Sequence, residues 1–441
     1  MADDKRIWMK AVFGVEIPDG GDTDEAADEP QRKLAKGGRG ASAPVGGASP
    51  PPPSGPAPAA PTPQAKGPAP GDPDIDTPIK AIGEEAAALK KLGFDTRQMV
   101  ADGAELSRSG IAAKKLADDA ARQKALAQIK KRAEEELEHA QALSKSLKAI
   151  MGDKKGKPDA AQKSAIYKKA LEDLYGLKIK VPAGMKNTHF DRVFDMFGTV
   201  PKGDVKQDKL KKLTYSTAEK DKGSGAFGSA EIEMGDFGKA KGKENYQIDG
   251  KVIPANSFDV TTLHEIGHSV DEKNSIMSTN QSKAGCGGWN SETVDTVATA
   301  FLGELKKTLK LKTKLADAVL TDVITKALGA GTTDQPGTIT NFDDWKKILD
   351  FLVDKCLKIR SDADPWFESK QVVVGDRVYQ EAYGGEWWSY DFKARATTKV
   401  NNYQWRSPAE WFAEVYAISW LSKKKPPAGV DSAIAAYAWK G

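Results

Sequence analysis

The sequence predicts an α+β fold with an N-terminal helical segment and, ahead of that, a disordered Pro/Ala-rich linker. Three observations lead there. Twelve of the chain's 24 prolines fall between Pro44 and Pro73. Residues 110–149 are rich in Ala, Lys, Glu, Leu and Gln, all strong helix formers. Past residue 158 aromatics, glycines and strand-like runs appear, and nine of the ten tryptophans lie beyond residue 288. With 441 residues, 39% of them hydrophobic, the chain can bury a sizeable core and needs neither disulfides nor metal simply to fold.

In chain order, residues 1–19 hold a short apolar patch around Ile7, Trp8, Val12 and Phe13. Residues 20–78 read as a linker, since their Pro, Ala and Gly composition buries too little surface to offset ordering entropy and favours polyproline II. Residues 79–157 read as a helical hairpin or bundle. Leu116, Ala120, Leu126, Ile129, Leu137, Leu143 and Leu147 recur there at three- and four-residue spacings. The run KKRAEEELEH within it is a solvated face with i,i+4 charge pairs. Residues 158–441 read as one mixed domain. Strand-like runs fall at 213–217, 226–234 and 371–383, and helical patterns at 159–175, 259–272, 292–310, 314–328, 342–359 and 408–422.

Charge and cysteine content exclude several classes. Lys plus Arg is 66 and Asp plus Glu is 62, a net charge of only +4. A dedicated nucleic-acid binder needs a stronger basic excess, so no nucleic-acid partner is expected. No run approaches the ~18 consecutive apolar residues of a membrane span. Cys286 and Cys356 are too few for a disulfide framework and suit a reducing compartment. The N-terminus lacks the ~7–15 apolar residues of a signal peptide. The expectation is synthesis in the cytoplasm, with any export left to a specialised secretion system.

The chemistry concentrates in Asp259-Val-Thr-Thr-Leu-His264-Glu265-Ile-Gly-His268-Ser-Val-Asp271, which contains HExxH. On a helix, four residues turn about 400°, so His264 and His268 share a face and their ring nitrogens can converge on one Zn2+ ion. Glu265 projects beside that pair, where it can take a proton from a water activated by the ion. Asp259 or Thr261 is the expected N-cap. Gly267 costs about 1 kcal/mol relative to alanine in a helix, which points to close packing behind the metal face. The other two histidines, His139 and His189, read as a helix-surface residue and a loop or core residue.

A catalytic zinc site needs a third protein ligand and one open position. No histidine follows His268, so the third ligand is an acid. Asp271, three residues on, is one candidate, with a hydrogen bond to a neighbouring group as its plainer role. Glu292, opening a helix after a glycine-rich turn, is another. The preferred candidate is Glu410, in Tyr403-Gln-Trp-Arg-Ser407-Pro408-Ala-Glu410-Trp-Phe-Ala-Glu414. Ser407 is a natural N-cap and Pro408 a natural first helical residue. Glu414, one turn after Glu410, is placed to hold the free N–H of a ligating histidine. The competing role for Glu410 is a capping box with Ser407.

HExxH with a downstream glutamate-bearing helix resembles the gluzincin branch of the zincin metallopeptidases. The segments His264-Glu265-Ile-Gly-His268-Ser-Val-Asp271 and Ala409-Glu410-Trp-Phe-Ala-Glu414 are similar to those of the anthrax lethal factor catalytic domain and of metallopeptidase effectors of bacterial secretion systems. The likeness covers some 30 residues. It implies a zincin-like metallopeptidase domain with His264, His268 and Glu410 as ligands to one zinc ion. It also implies Glu265 as general base, Tyr403 (seven residues before Glu410) as transition-state stabiliser, and Glu414, with Asp271, in supporting positions. The 142-residue separation of His268 from Glu410 is far longer than in lethal factor, so an insertion that alters the cleft walls is expected.

The resulting expectation is a zinc-dependent metalloendopeptidase acting on a protein or peptide substrate, in the setting of a bacterial toxin or secretion-system effector. Partners of that setting would be a secretion apparatus, a chaperone or an immunity protein. The alternative is a zinc-binding interaction module or a non-peptidase zinc hydrolase. Residues 79–152 would then be an inhibitory or chaperone-docking segment in a third reading. The strand-like run 226–234 is either an exposed edge for an extended peptide or an interior strand with a glycine bulge. The tryptophans around 387–388 read as core rather than as a substrate groove.

Overall fold

The structure is a computed structural model, and it describes residues 71–152, 156–181, 188–216, 225–235, 243–248, 251–330, 334–355, 371–382 and 386–439. The expected segment 1–19, the linker as far as residue 70, and Cys356 lie outside the described residues, as do the side chains of a few strand and helix ends, His189 among them.

Three helices lead: α1 (Asp76–Lys91), α2 (Arg97–Ala113) and α3 (Asp119–Met151). The stretch expected as a helical hairpin or bundle thus forms three helices. Asp118 caps α3 by accepting from the Ala121 N–H. Helix α4 (Ala160–Tyr175) opens on a capping box between Asp159 and Gln162, and Gly176 ends it in the left-handed region at φ 75°. Strand β1 (Lys178–Lys180), helix α5 (Thr188–Thr199) and a short turn of helix, α6 (Lys202–Val205), follow.

The first sheet adds β2 (Lys212–Tyr215), β3 (Gly225–Gly228) and β4 (Glu231–Met234), in the order β1-β2-β4-β3. β1, β2 and β4 run parallel, whereas β3 pairs antiparallel with β4 and forms the edge. Leu213 faces Ile232 across the β2–β4 pair, both fully buried. The run 226–234 is therefore not one strand. Ser229 and Ala230 both take positive φ, 51° and 59°, closing a two-residue hairpin of the kind whose twist matches its strands.

A hairpin of β5 (Lys243–Ile248) and β6 (Lys251–Asn256) feeds α7 (Ser257–Asn274), followed by α8 (Ile276–Asn280). A second, antiparallel sheet has the order β7-β10-β9-β8, built from β7 (Asn290–Glu292), β8 (Gln371–Val374), β9 (Arg377–Glu381) and β10 (Trp387–Asp391). Between β7 and β8 run α9 (Val294–Thr308), α10 (Asp317–Ala330) and α11 (Phe342–Lys355). Helices α12 (Phe392–Thr398), α13 (Pro408–Ser422) and α14 (Ser432–Ala438) close the chain.

The main hydrophobic core runs from the leading helices to α7 and α13, with smaller apolar clusters around Ile75 and Leu126 and around Ile82 and Leu106. Leu89 and Leu143 from the leading helices, Ile166 and Phe194 from α4 and α5, Ile232 from the first sheet, and Leu263, Trp411 and Ile418 from α7 and α13 all belong to it. The described residues lie in one compact unit, Lys66–Gly441. His139 is a core residue rather than the surface residue expected. It is 2% exposed, stacked on Phe194 with ring centroids 3.7 Å apart and 2.9 Å from the Tyr175 hydroxyl. Burial pushes its imidazole down to about 3, so the ring is neutral and packs as an aromatic. Trp289, Tyr390 and Trp405 likewise form a buried aromatic cluster; Trp387 is buried and Trp388 packs against the core, in line with the role expected for them. No helix among the described residues is long and apolar enough to cross a membrane.

Candidate metal centre

Helix α13 is buried from Glu410 to Trp420, as befits a segment that is apolar on every face. Glu410 and Glu414 are conspicuous there, because a buried carboxylate is costly without a positive partner. Helix α7 supplies that partner. It lies so close that a Cβ on Gly267 would stand 2.9 Å from the Ala413 Cα, which accounts for the glycine inside HExxH. Ser407 accepts from the Glu410 N–H at 3.4 Å and Pro408 takes the first turn, as expected. Glu410 itself makes no capping box; its carboxylate turns towards α7.

There the donors converge. His264 Nε2 is 3.0 Å from His268 Nε2, and Glu410 Oε2 is 2.9 Å and 3.4 Å from them respectively. Among the described residues these three are the one group of His, Cys, Asp or Glu side chains arranged to hold a metal ion. Three donors about 2.0–2.1 Å from a common ion at tetrahedral angles stand about 3.3 Å apart, so the observed triangle is slightly tighter than a filled one. Glu410 Oε2 is buried, and its neighbours are the two imidazole nitrogens. Two imidazoles and one carboxylate suit zinc.

Charge points the same way. Burial alone would raise the Glu410 carboxyl, but the charge of His268 and hydrogen bonds from both histidines hold it well below the usual carboxylate range. Burial works against a charged His264, yet hydrogen bonding to Glu410 and Glu414 draws it well above the ordinary imidazole value. The site calls for positive charge between two acids. Glu414 Oε1 is 3.0 Å from His264 Nδ1, at hydrogen-bonding distance though oblique to the ring N–H, and its other oxygen accepts from Asn401 Nδ2 at 2.7 Å.

Glu265 is 4% exposed and faces the edge strand. A Cβ on Gly225 would meet its Oε1 at 2.8 Å and Thr261 Cγ2 at 2.5 Å, so β3 passes close to α7 here. Burial raises the Glu265 carboxyl, with the charges of His264 and His268 pulling part of the way back. Tyr403 stands on a 3₁₀ turn (Tyr403–Trp405), its hydroxyl donating to Glu410 Oε1 at 3.4 Å and its ring 5.7 Å from that of His264. Phe227 on β3 lies parallel to His268, centroids 6.5 Å apart.

These groups line a cleft of about 850 Å³, together with Gly225, Ala226, Ser407 and Ala409. No described residue between Ser278 and Tyr403 lines it. Asp271 lines the cleft but is not one of the converging donors; its Oδ1 accepts from the Met277 N–H at 2.8 Å. Glu292 ends β7 and accepts from Ser389 and Thr296 at 2.6 Å and 2.8 Å. The expected N-cap of α7 is also displaced. Asn256 caps the helix by accepting from the Phe258 N–H, while Asp259 binds Arg192 through two hydrogen bonds, the shorter at 2.5 Å.

No family model, no curated protein and no solved structure matches the chain.

Proposed function

We propose that the chain is a zinc-dependent metalloendopeptidase, with His264, His268 and Glu410 holding one zinc ion. The observation that carries this reading is the meeting of three donors beside a buried glutamate at the floor of an open cleft. A closed structural site has no use for a base at its edge. The zincin-like character of the domain is part of the proposal. It is supported by an antiparallel edge strand running past the HExxH helix and by the resemblance of the two motifs. That resemblance also supports the setting of a delivered toxin or effector.

When bound, the ion lowers the pKa of a water and polarises the scissile carbonyl. The remaining work falls to side chains. Glu265 takes the proton of the attacking water and passes it to the departing amine. The Tyr403 hydroxyl donates to the oxygen that gains charge. The outer edge of β3 among the described strands pairs with the backbone of an extended substrate, and Phe227 offers it an apolar surface. The test is cleavage of a denatured protein mixture, with and without a chelator. Chelator-sensitive cleavage by the wild-type chain supports the reading, and a zinc-loaded chain that cleaves nothing points to the interaction module or a different hydrolase.

A further inference from the structure

Asn401 makes two contacts that only an amide satisfies together. Its Nδ2 donates to Glu414 Oε2 at 2.7 Å, and its Oδ1 accepts from the Gln404 N–H at 2.8 Å. The first contact ends on the carboxylate whose other oxygen is 3.0 Å from His264 Nδ1. The second ties down the 3₁₀ turn Tyr403–Trp405. Gln404, fully buried, locks the same turn from within. Its Oε1 accepts from the Val400 N–H at 2.8 Å and its Nε2 donates to the Thr398 carbonyl at 2.9 Å. The amide orientation is unambiguous, because a flipped Asn401 would aim oxygen at a carboxylate and NH2 at a backbone N–H. An aspartate would accept from Gln404 but face Glu414 with like charge, and an apolar residue would leave both groups unpaired.

We propose that Asn401 is a positioning residue. One end of its amide fixes Glu414, and through it the ring of His264; the other end holds the turn that presents Tyr403. Metal ligand and oxyanion donor thus share one mechanical reference, although they come from separate segments of the chain. This inference rests on the reading of His264 as a zinc ligand. A carboxylate at the free ring nitrogen sets the tautomer and orientation of a ligating histidine, and losing one costs about 10–100-fold in metal affinity.

The test is zinc affinity, measured on the full chain by competition with a fluorescent chelator. The variants are Asn401→Ala, Asn401→Asp, Glu414→Ala and the double variant Asn401→Ala with Glu414→Ala. Near-UV circular dichroism of the zinc-free chains reports on folding. Asn401→Ala and Asn401→Asp are each expected to weaken zinc binding about tenfold. Asn401→Asp keeps the shape and the Gln404 contact, so it probes the Glu414 contact even where Asn401→Ala fails to fold. If Asn401 acts through Glu414, the double variant binds zinc no more weakly than Glu414→Ala alone. Wild-type affinity in both Asn401 variants overturns the inference, as does a full repeat of the Asn401→Ala loss on the Glu414→Ala background. A wild-type chain that binds no zinc overturns the metal-site reading, and this inference with it.

Discussion

Glu265 and Tyr403 line the cleft beside the converging donors, and their substitutions separate chemistry from metal binding. Glu265→Gln keeps volume but removes the base. Cleavage is expected to fall by about 10²–10⁴-fold while elemental analysis still finds zinc; cleavage at the wild-type rate would remove Glu265 from the mechanism. Tyr403→Phe is expected to lower kcat by about 10²–10³-fold with KM little changed, as seen in steady-state assays with a peptide. At this scale much of the site is legible in the sequence. HExxH specifies its own geometry through helical spacing, and Ser407-Pro408 announces the helix that carries Glu410. Asn401 is not legible, because its role depends on a 2.7 Å contact with a residue thirteen positions away. Neither is the burial of His139, which follows from the aromatic faces of Phe194 and Tyr175.

Helix pairs set the next level. The crossing of α7 and α13 depends on Gly267, since an added Cβ meets backbone at Ala413 rather than a yielding side chain. Gly267→Ala is expected to destabilise the fold by about 1–3 kcal/mol in chemical denaturation, despite alanine's better helix propensity. A stability gain would contradict the close crossing. On α3, Glu136 is buried, its Oε2 makes no hydrogen bond, and Arg132 is 3.7 Å away. Burial, reinforced by the charge of Asp102 and opposed by Arg132 and Lys423, pushes its carboxyl up to about 8. The folded state therefore keeps this proton up to about pH 8, while the unfolded chain releases it near the ordinary ~4.3. Stability from this group is complete below the unfolded pKa and is lost as pH rises through that window. Glu136→Gln mimics the protonated form. Denaturation at pH 5 and pH 8 is expected to show the variant gaining on wild type at the higher pH; an equal difference at both would contradict a neutral Glu136. The β3–β4 hairpin marks the limit of sequence reading for elements. Ser229 and Ala230 carry positive φ without the Asn-Gly or Gly-Gly signal that usually announces such a turn.

Across the whole molecule, the leading helices share a core with α7 and α13: Leu89, Ala140 and Leu143 belong with Leu263 and Trp411. The Lys423–Asp102 ion pair joins α2 to the residue that ends α13. A truncation starting at residue 158 is therefore expected to lose its cooperative thermal transition rather than show altered activity. A folded, active product would favour an inhibitory or docking role for residues 79–152. The fold class was legible because helix formers and β-branched runs segregate along the chain. The order β1-β2-β4-β3 was not, since short strands of three or four residues carry too little pattern to declare their neighbours. The central claim is that His264, His268 and Glu410 together hold one metal ion. Its most direct test is elemental analysis of the purified wild-type chain beside Glu410→Ala and Glu292→Ala. One zinc per chain in wild type and in Glu292→Ala, with zinc lost from Glu410→Ala, is the predicted result; a metal-free wild type, or Glu410→Ala retaining as much zinc as wild type, would contradict it.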